Sequence, residues 1–190
     1  MLTEDYGYTG VRNERFADCC IVLKNRFGGG SVLVWGGIMW NRKTDLVVVQ
    51  GNTNAHSYVA YVLNAHALPF IRQYGPGVTL MQDNSRPHVA RVTTQFLQRT
   101  NVYVMSWPAV SPDLNPIEHI WDQLGRKALA NHQFDNVRDL TRALQHEWRN
   151  LPNALVLRYV TSMRRKIIAC IHPNGGHIRY TNIYWMCHIS

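Results

Sequence analysis

Two short apolar runs, separated by one stretch of helical length, constrain the fold of this chain more than any other feature. The runs are "VTLMQD" at 78–83 and "NVYVMSW" at 101–107, and apolar residues recur at helical spacing between them. A helix of about 14 residues advances about 21 Å, and a strand of about six or seven residues recovers the same distance. The chain therefore returns to the edge of the sheet that it left, which predicts two parallel strands joined by a helix.

Each of these runs leads to a carboxylate. Asp83 ends the first run, and Glu118 lies in the first turn of a helix predicted from about Asn115 to Ala130. Asp83 is either a turn or cap residue or a metal ligand, and Glu118 is either a first-turn residue stabilised by the helix dipole or a second ligand. Two carboxylates at the carboxyl edge of a sheet can hold a hard cation such as Mg²⁺. For that arrangement we predict a separation of roughly 4 to 8 Å between them.

The remaining patterns predict an α/β fold with a mixed sheet. Two strands rich in β-branched and aromatic residues, at 31–40 and 44–51, are close enough to form an antiparallel hairpin. Asn54 is predicted to cap a helix that continues to about Tyr74, and Ser85 to cap a helix that continues to about Arg99. The last two predicted helices are marked by apolar residues over 137–148 and 156–171.

Composition limits the classes of function. A chain of 190 residues with 46% hydrophobic residues suits one domain, and 20 Lys and Arg against 12 Asp and Glu give a net charge of +8. This excess favours a polyanionic partner, most often nucleic acid, although many basic proteins bind nothing specific. No membrane span or signal peptide is predicted, so we expect an intracellular protein. The four cysteines form no CxxC pair, which argues against a zinc ribbon or a thioredoxin-type site; they are Cys19, Cys20, Cys170 and Cys187.

Several phrases, in the correct order, resemble one family. "FGGGSVLVWGGI", "QDNSRPH" and "WPAVSPDLNPIEHIWD" are similar to the catalytic domain of Tc/mariner-superfamily transposases, which are DDE-type enzymes with a ribonuclease H-like fold. The 34 residues between Asp83 and Glu118 match the spacing of the Tc-like branch. "GNTNAHSYVAYVL", "LPFIRQYGPG" and "NGGHIRY" extend the resemblance from about residue 11 to residue 180.

The resemblance implies the chemistry of the site. In this family three carboxylates coordinate two Mg²⁺ or Mn²⁺ ions for DNA cleavage and strand transfer. Asp83 corresponds to the second carboxylate and Glu118 to the third, so both are predicted to be catalytic and metal-binding. The implied partner is DNA, the implied location is the nucleus, and a homodimer is a further expectation because the linker of relatives takes part in dimer contacts.

The first aspartate of the family is missing. In relatives it lies in a phrase like "FSDESRF" on the first and central strand, and no such phrase is present here. Asp5, Asp18 and Asp45 are the alternatives, and none has the matching context. We therefore expect a truncated, inactive transposase domain whose sheet lacks the central strand and whose strand at 31–40 has no neighbour on that side. The alternatives are a non-catalytic or domesticated nucleic-acid-binding module and a ribonuclease H-like nuclease.

The predicted organisation has three parts: a linker-like segment at 1–30, the ribonuclease H-like domain at 31–180 and an atypical tail at 181–190. We interpret His88 as a residue of the helix surface, and His119 as pointing too far from Glu118 for joint metal binding. Asn115 and Pro116 are predicted to start the helix of Glu118, and Trp35 and Trp121 to be core residues. The residues that could neutralise DNA phosphates are Arg86, Arg91, Arg126, Lys127, Arg164, Arg165 and Lys166.

Overall fold

The main architectural element is a mixed five-stranded sheet, accompanied by a two-stranded ribbon. The computed structural model describes residues 32–49, 51, 53–109, 111–171 and 184–188. In chain order the strands are β1 (Leu33–Trp35), β2 (Gly37–Met39), β3 (Arg42–Lys43), β4 (Val47–Val49), β5 (Val78–Met81), β6 (Tyr103–Val104) and β7 (Tyr184–His188). The strand order in the large sheet is β3-β2-β7-β5-β6, and β1 pairs with β4 in the ribbon.

Helices fill the rest of the described chain. They are α1 (Ala55–Ser57), a π-helical segment (Tyr58–Ala67), α2 (Leu68–Arg72), α3 (Arg86–Val89), α4 (Arg91–Arg99), a 3₁₀ turn (Pro112–Leu114), α5 (Pro116–Asn131), α6 (Val137–Arg149) and α7 (Asn153–Ile171). The predicted α/β class and the predicted helices at the C-terminal half are confirmed. Among the described residues, no helix is long and apolar enough to cross a membrane.

The predicted hairpin forms, but both of its strands are interrupted. β1 pairs antiparallel with β4, and β2 pairs antiparallel with β3, so the two halves of the hairpin belong to different sheets. The interruption falls at Gly36, where an added Cβ would lie only 2.9 Å from Cζ2 of Trp148. On the opposite strand, the hydroxyl of Thr44 accepts a hydrogen bond from the Gly37 N–H at 2.7 Å and replaces a ladder bond. The tight contact with Trp148 explains why a residue without a side chain stands here.

The helix predicted from Asn54 is confirmed, with an unexpected wide turn. Asn54 caps its start, because its side chain accepts hydrogen bonds from the N–H groups of His56 and Ser57. The buried residues of the π-helical segment then follow a spacing of four or five; they are Tyr58, Val62, Leu63 and Ala67. This spacing is wider than the 3.6 residues of an α-helix. The hydroxyl of Tyr58, at the start of the segment, donates to the side chain of Gln82 at 3.0 Å, just beyond the end of β5.

The parallel pair predicted from the two apolar runs is confirmed. β5 and β6 are parallel, with Thr79 opposite Tyr103 and Leu80 opposite Val104. The connecting helix is broken at Ala90, whose backbone is extended between α3 and α4. Ser85 does not cap this helix with its side chain, contrary to our prediction. Instead, the carboxylate of Asp83 accepts the Ser85 N–H at 3.0 Å.

The position between β2 and β5 is occupied by β7, which comes from the C-terminal tail. β7 is antiparallel to β2, with Ile38 opposite Cys187, and parallel to β5, with Leu80 opposite Met186. We expected the strand at 31–40 to lack a neighbour on this side, and that expectation is wrong. Main-chain N–H and C=O groups pair irrespective of the side chains they carry, so a strand from the other end of the sequence can fill this position.

The sheet separates two hydrophobic clusters. Ile38 and Met81 belong to one cluster, whereas their strand neighbours Met39 and Leu80 belong to the other, as the alternation of side chains along a strand requires. The first cluster joins the sheet to α5, α6 and α7, and the second joins it to the π-helical segment, α2 and α4. Helices therefore cover both faces, and the predicted core residues Trp35 and Trp121 are each only 3% exposed.

The central position of β7 predicts that its main-chain bonds are indispensable. Met186 is paired on both sides, with Met39 and with Leu80. Proline there removes a donor from the middle of the sheet, so Met186→Pro should lower the melting temperature strongly or prevent cooperative unfolding in circular dichroism. Ser190→Pro, beyond the strand, is the control. Equal melting temperatures for the two variants would contradict the central placement.

Candidate active site

Asp83 lies two residues beyond the end of β5, at the carboxyl edge of the sheet. Its side chain is 19% exposed, and its Oδ1 receives two hydrogen bonds, from the Ser85 N–H at 3.0 Å and from Nδ1 of His88 at 2.6 Å. The first of these bonds forms an Asx turn that redirects the chain from β5 into α3. The turn role and the ligand role that we offered as alternatives for Asp83 are thus compatible, because only Oδ1 is used in the turn.

His88 holds the carboxylate of Asp83 from inside the protein. Its side chain is 2% exposed, so our interpretation of His88 as a helix-surface residue is wrong. The ring contacts that of Tyr58 at a centroid distance of 4.6 Å with a tilt of 41°, and Tyr58 in turn donates to Gln82. Gln82 also contacts the main-chain carbonyl of His88 at 3.5 Å. The network orients Oδ1 of Asp83, a candidate metal ligand, from the interior of the protein, as outer-shell partners do in metal sites.

The same network controls the ionisation of Asp83. Burial raises the pKa of its carboxyl, but the hydrogen bond and charge of His88, together with the hydrogen bond from the Ser85 N–H, outweigh burial and leave the pKa below its ordinary value. Asp83 is therefore ionised at neutral pH. Because its folded pKa is depressed, the stability that it contributes is present above the ordinary pKa and is lost as the pH falls through the folded value.

Glu118 lies in the first turn of α5, and Asn115 positions it. Asn115 is 3% exposed, accepts the Ile117 N–H at 3.5 Å and donates to Oε1 of Glu118 at 3.4 Å. The predicted start of this helix at Asn115 and Pro116 is confirmed. The inner face of this helix is formed by residues that are at most 3% exposed: Ile117, Ile120, Trp121 and Leu124.

The chain segments that carry Asp83 and Glu118 are tied together at the sheet edge. The side chain of Asn84 donates to the carbonyl of Trp107 at 2.8 Å, and the Met105 N–H donates to the carbonyl of Leu80 at 2.8 Å. These bonds join the loop after β5 to the loop that follows β6 and leads to α5. The predicted return of the chain to one edge is confirmed, and the separation of 4 to 8 Å between the two carboxylates stays a prediction.

Other residues near the start of α5 are engaged elsewhere. His119 contacts Nζ of Lys166 and stacks on Tyr159 at 5.4 Å, while Lys166 donates to the carbonyl of Asp113 at 2.9 Å. Burial lowers the pKa of His119, and the charge of Lys166 lowers it further. Lys166 therefore joins α7 to the segment just before Glu118. Among the alternatives for the first aspartate, Asp45 is exposed, and Asp5 and Asp18 lie outside the described residues.

Sequence comparison identifies relatives of this chain. The family model described as DDE superfamily endonuclease matches residues 18–141. The Tc3 transposase of Caenorhabditis elegans is 31% identical over 162 residues, which cover 84% of this chain and 49% of that protein. This chain thus spans about half the length of that relative.

Two solved structures of the Mos1 mariner transposase share the fold. The catalytic domain with Raltegravir and Mg has a TM-score of 0.61 at 22% identity, over 78% of this chain and 76% of that chain. The paired-end complex with the left transposon end has a TM-score of 0.64 at 21% identity, over 94% of this chain and 51% of that chain. The ribonuclease H-like prediction is confirmed by these matches.

The buried contact between His88 and Asp83 predicts a measurable pKa change. In His88→Gln the opposing effect of burial remains while the charge of His88 is removed, so the pKa of Asp83 should rise above its value in the unmodified chain. Carboxyl ¹³C NMR titration measures this shift directly. His56→Ala, at an exposed histidine, is the matched control. A pKa of Asp83 that is unchanged in His88→Gln would show that His88 does not control this carboxylate.

Proposed function

The chain belongs to the DDE superfamily endonuclease family, among the Tc/mariner transposases, and from that membership we propose that it acts on DNA through the carboxyl edge of its sheet. The observation that carries the proposal is the placement of Asp83. It is an ionised carboxylate, oriented by a buried histidine, at the end of β5 and tied through Asn84 to the segment that leads to Glu118. We propose Asp83 and Glu118 as the ligands of divalent metal.

The donor atoms suit Mg²⁺ or Mn²⁺, ions that accept carboxylate oxygens and complete their coordination with water. Within the described residues, both hydrogen bonds to the Asp83 carboxylate end on Oδ1, so a metal ion can approach Oδ2 without breaking the network. The Mos1 catalytic domain has been solved together with Raltegravir and Mg, and with Raltegravir and Mn. When bound, such ions supply activation of the attacking oxygen and stabilisation of the leaving oxygen in an in-line displacement.

We further propose that the 190-residue chain is catalytically incomplete. By resemblance, the first aspartate of the family stands on the central strand, and here β7 occupies the position between β2 and β5. β7 reads Tyr-Trp-Met-Cys-His and holds no carboxylate. Two carboxylates can retain one ion, but in-line transfer requires that both the nucleophile and the leaving oxygen be held. A DNA-binding module of transposase descent is therefore the function that we favour over an active transposase.

DNA is the proposed partner because charge and position agree. The net charge is +8, and Arg86 and Arg91 are exposed on α3 and α4, directly after Asp83. The Mos1 relative is described in complex with a transposon end. Cationic side chains beside an acidic site would hold phosphates near the carboxylates while compensating their charge. The homodimer and the nuclear location are proposals that rest on the family resemblance alone.

Binding should depend steeply on salt. Neutralised phosphates release counterions, so the affinity for double-stranded DNA should fall linearly on a log–log plot against salt concentration, in fluorescence anisotropy. Replacing Arg86 and Arg91 with Ala should reduce the magnitude of that slope by about 1 to 2. Arg126→Ala is the control, because Arg126 already pairs with Asp122 at 2.6 Å. Salt-independent affinity would remove the case for DNA.

Cleavage is the test of catalytic incompleteness. We expect the unmodified chain to leave supercoiled plasmid intact with Mn²⁺, because no carboxylate stands on β7. Asp83→Ala and the exposed-site control Asp45→Ala should behave in the same way. If the unmodified chain and Asp45→Ala cut the plasmid while Asp83→Ala does not, the proposal of an inactive module is wrong and the assignment of Asp83 is supported.

A further inference from the structure

The C-terminal end of α5 meets the last turns of α6 at a cluster of three metal-ligand side chains. They are His132, His146 and Glu147, and one ligand atom from each lies within 4.8 Å of the others. Among the described side chains, this is the group of three possible metal ligands whose atoms lie this close together. It contains neither Asp83 nor Glu118. The proposed activity leaves these three residues without a role.

Glu147 is the buried member of the cluster. It is 7% exposed, and its Oε1 accepts hydrogen bonds from Asn131 at 3.1 Å and from Nε2 of His132 at 2.9 Å. The hydrogen bond from Asn131, aided by His132 and Lys127, lowers the pKa of Glu147 although burial opposes the shift. A carboxylate this buried stays charged only when it is compensated, and both hydrogen bonds within the described residues use the same oxygen.

His146 is the exposed member and approaches His132 edge-on. The ring centroids are 5.4 Å apart at an interplanar angle of 75°. Side chains at consecutive helix positions point about 100° apart. His146 and Glu147 on α6 nevertheless both approach His132, because His132, at the end of α5, lies between them. Nε2 of His146 contacts the side-chain amide of Asn150 at 2.8 Å. For Nδ1 of His146 to bind a metal, Nε2 must donate its proton to the amide oxygen of Asn150, which a flip of that amide provides.

We propose that His132, His146 and Glu147 form a Zn²⁺ site, with water as the fourth ligand. Two imidazoles and one carboxylate suit zinc better than Mg²⁺, which prefers oxygen ligands. Tetrahedral bonds of about 2.0 to 2.1 Å place ligand atoms about 3.3 Å apart. The ligand atoms now lie within 4.8 Å of one another, so a contraction of at most about 1.5 Å brings them to the spacing of a tetrahedral site.

Neighbouring charges limit the affinity. Asp139, Arg142 and Arg149 line the cleft beside the cluster. Arg142 is paired with Asp139 at 3.4 Å, and Nε of Arg149 donates to the carbonyl of Gln145 at 3.2 Å, so both guanidinium groups already have partners. They nevertheless oppose a cation electrostatically. We expect a moderate zinc affinity that increases with ionic strength rather than decreasing with it.

The ion would join α5 to α6 at the end of α5 opposite Glu118. About 13 residues separate Glu118 from the end of this helix, which corresponds to about 20 Å. The site is therefore separate from the proposed DNA-processing edge. Its existence does not depend on whether the chain cleaves or binds DNA.

The test compares zinc binding by the untagged full chain with binding by His146→Ala. Because His146 is exposed, the substitution should leave the fold intact. Competition with a chromophoric chelator should show at least a 10-fold weaker Zn²⁺ affinity for His146→Ala, whereas the exposed control His56→Ala should match the unmodified chain. Zinc should also raise the melting temperature of the unmodified chain and of His56→Ala, but not of His146→Ala.

A double variant distinguishes zinc binding at this site from metal binding at the proposed catalytic carboxylates. Asp83→Asn with Glu118→Gln removes the carboxylates at the sheet edge and should retain zinc binding that depends on His146. Equal zinc affinity for the unmodified chain and His146→Ala would overturn the proposal, and so would zinc binding that disappears only with Asp83 and Glu118. Loss of DNA binding in these variants would bear on the proposed function and not on the zinc site.

Discussion

The structure depends on the main-chain pairing of one position, the place between β2 and β5. Every residue of β2 is buried, and β5 is buried at Val78, Leu80 and Met81. A strand at that depth cannot leave a row of N–H and C=O groups unpaired, because water does not reach them. β7 pairs with the main-chain groups along one edge of each neighbouring strand, and it is antiparallel to β2 and parallel to β5. The position of Asp83 at the end of β5, and the separation of the two hydrophobic clusters, both follow from a complete sheet.

The main-chain pairing that completes the sheet does not depend on the chemistry of the side chains. A ladder of main-chain hydrogen bonds accepts almost any strand of the right direction, whereas a metal site requires particular side chains. β7 therefore restores the fold without contributing a carboxylate, since its sequence is Tyr-Trp-Met-Cys-His. The main-chain pairing that forms the sheet therefore does not determine which side chains stand on it. The similarity to the Mos1 structures, at 21–22% identity, reports on the fold and leaves the carboxylate set undecided.

Features that depend on near neighbours in sequence were predictable. The caps at Asn54 and Asn115, the inner face of α5 and the parallel β5–β6 pair all follow from local periodicity, capping chemistry and chain length. Features set by distant contacts were not. The break at Gly36 arises from Trp148, more than 100 residues away, and the pairing of β7 arises from strands that no sequence pattern identifies as its partners. The burial of His88 could have been suspected from its place five residues after Asp83, but its contact with the ring of Tyr58 could not.

The two candidate ligands are supported by different layers of the protein. Asp83 is oriented by His88 and, through it, by Tyr58, whose buried side belongs to the cluster containing the π-helical segment and α4. Glu118 stands on α5, whose buried side belongs to the cluster containing α6 and α7. The hydrogen bond from Asn84 to Trp107 is a direct polar link between the two segments. Substitutions within one layer should therefore change the orientation or ionisation of one carboxylate with little effect on the other, since additivity holds for sites that share no partner. Each candidate ligand is in this way positioned by the hydrophobic cluster on its own side of the sheet.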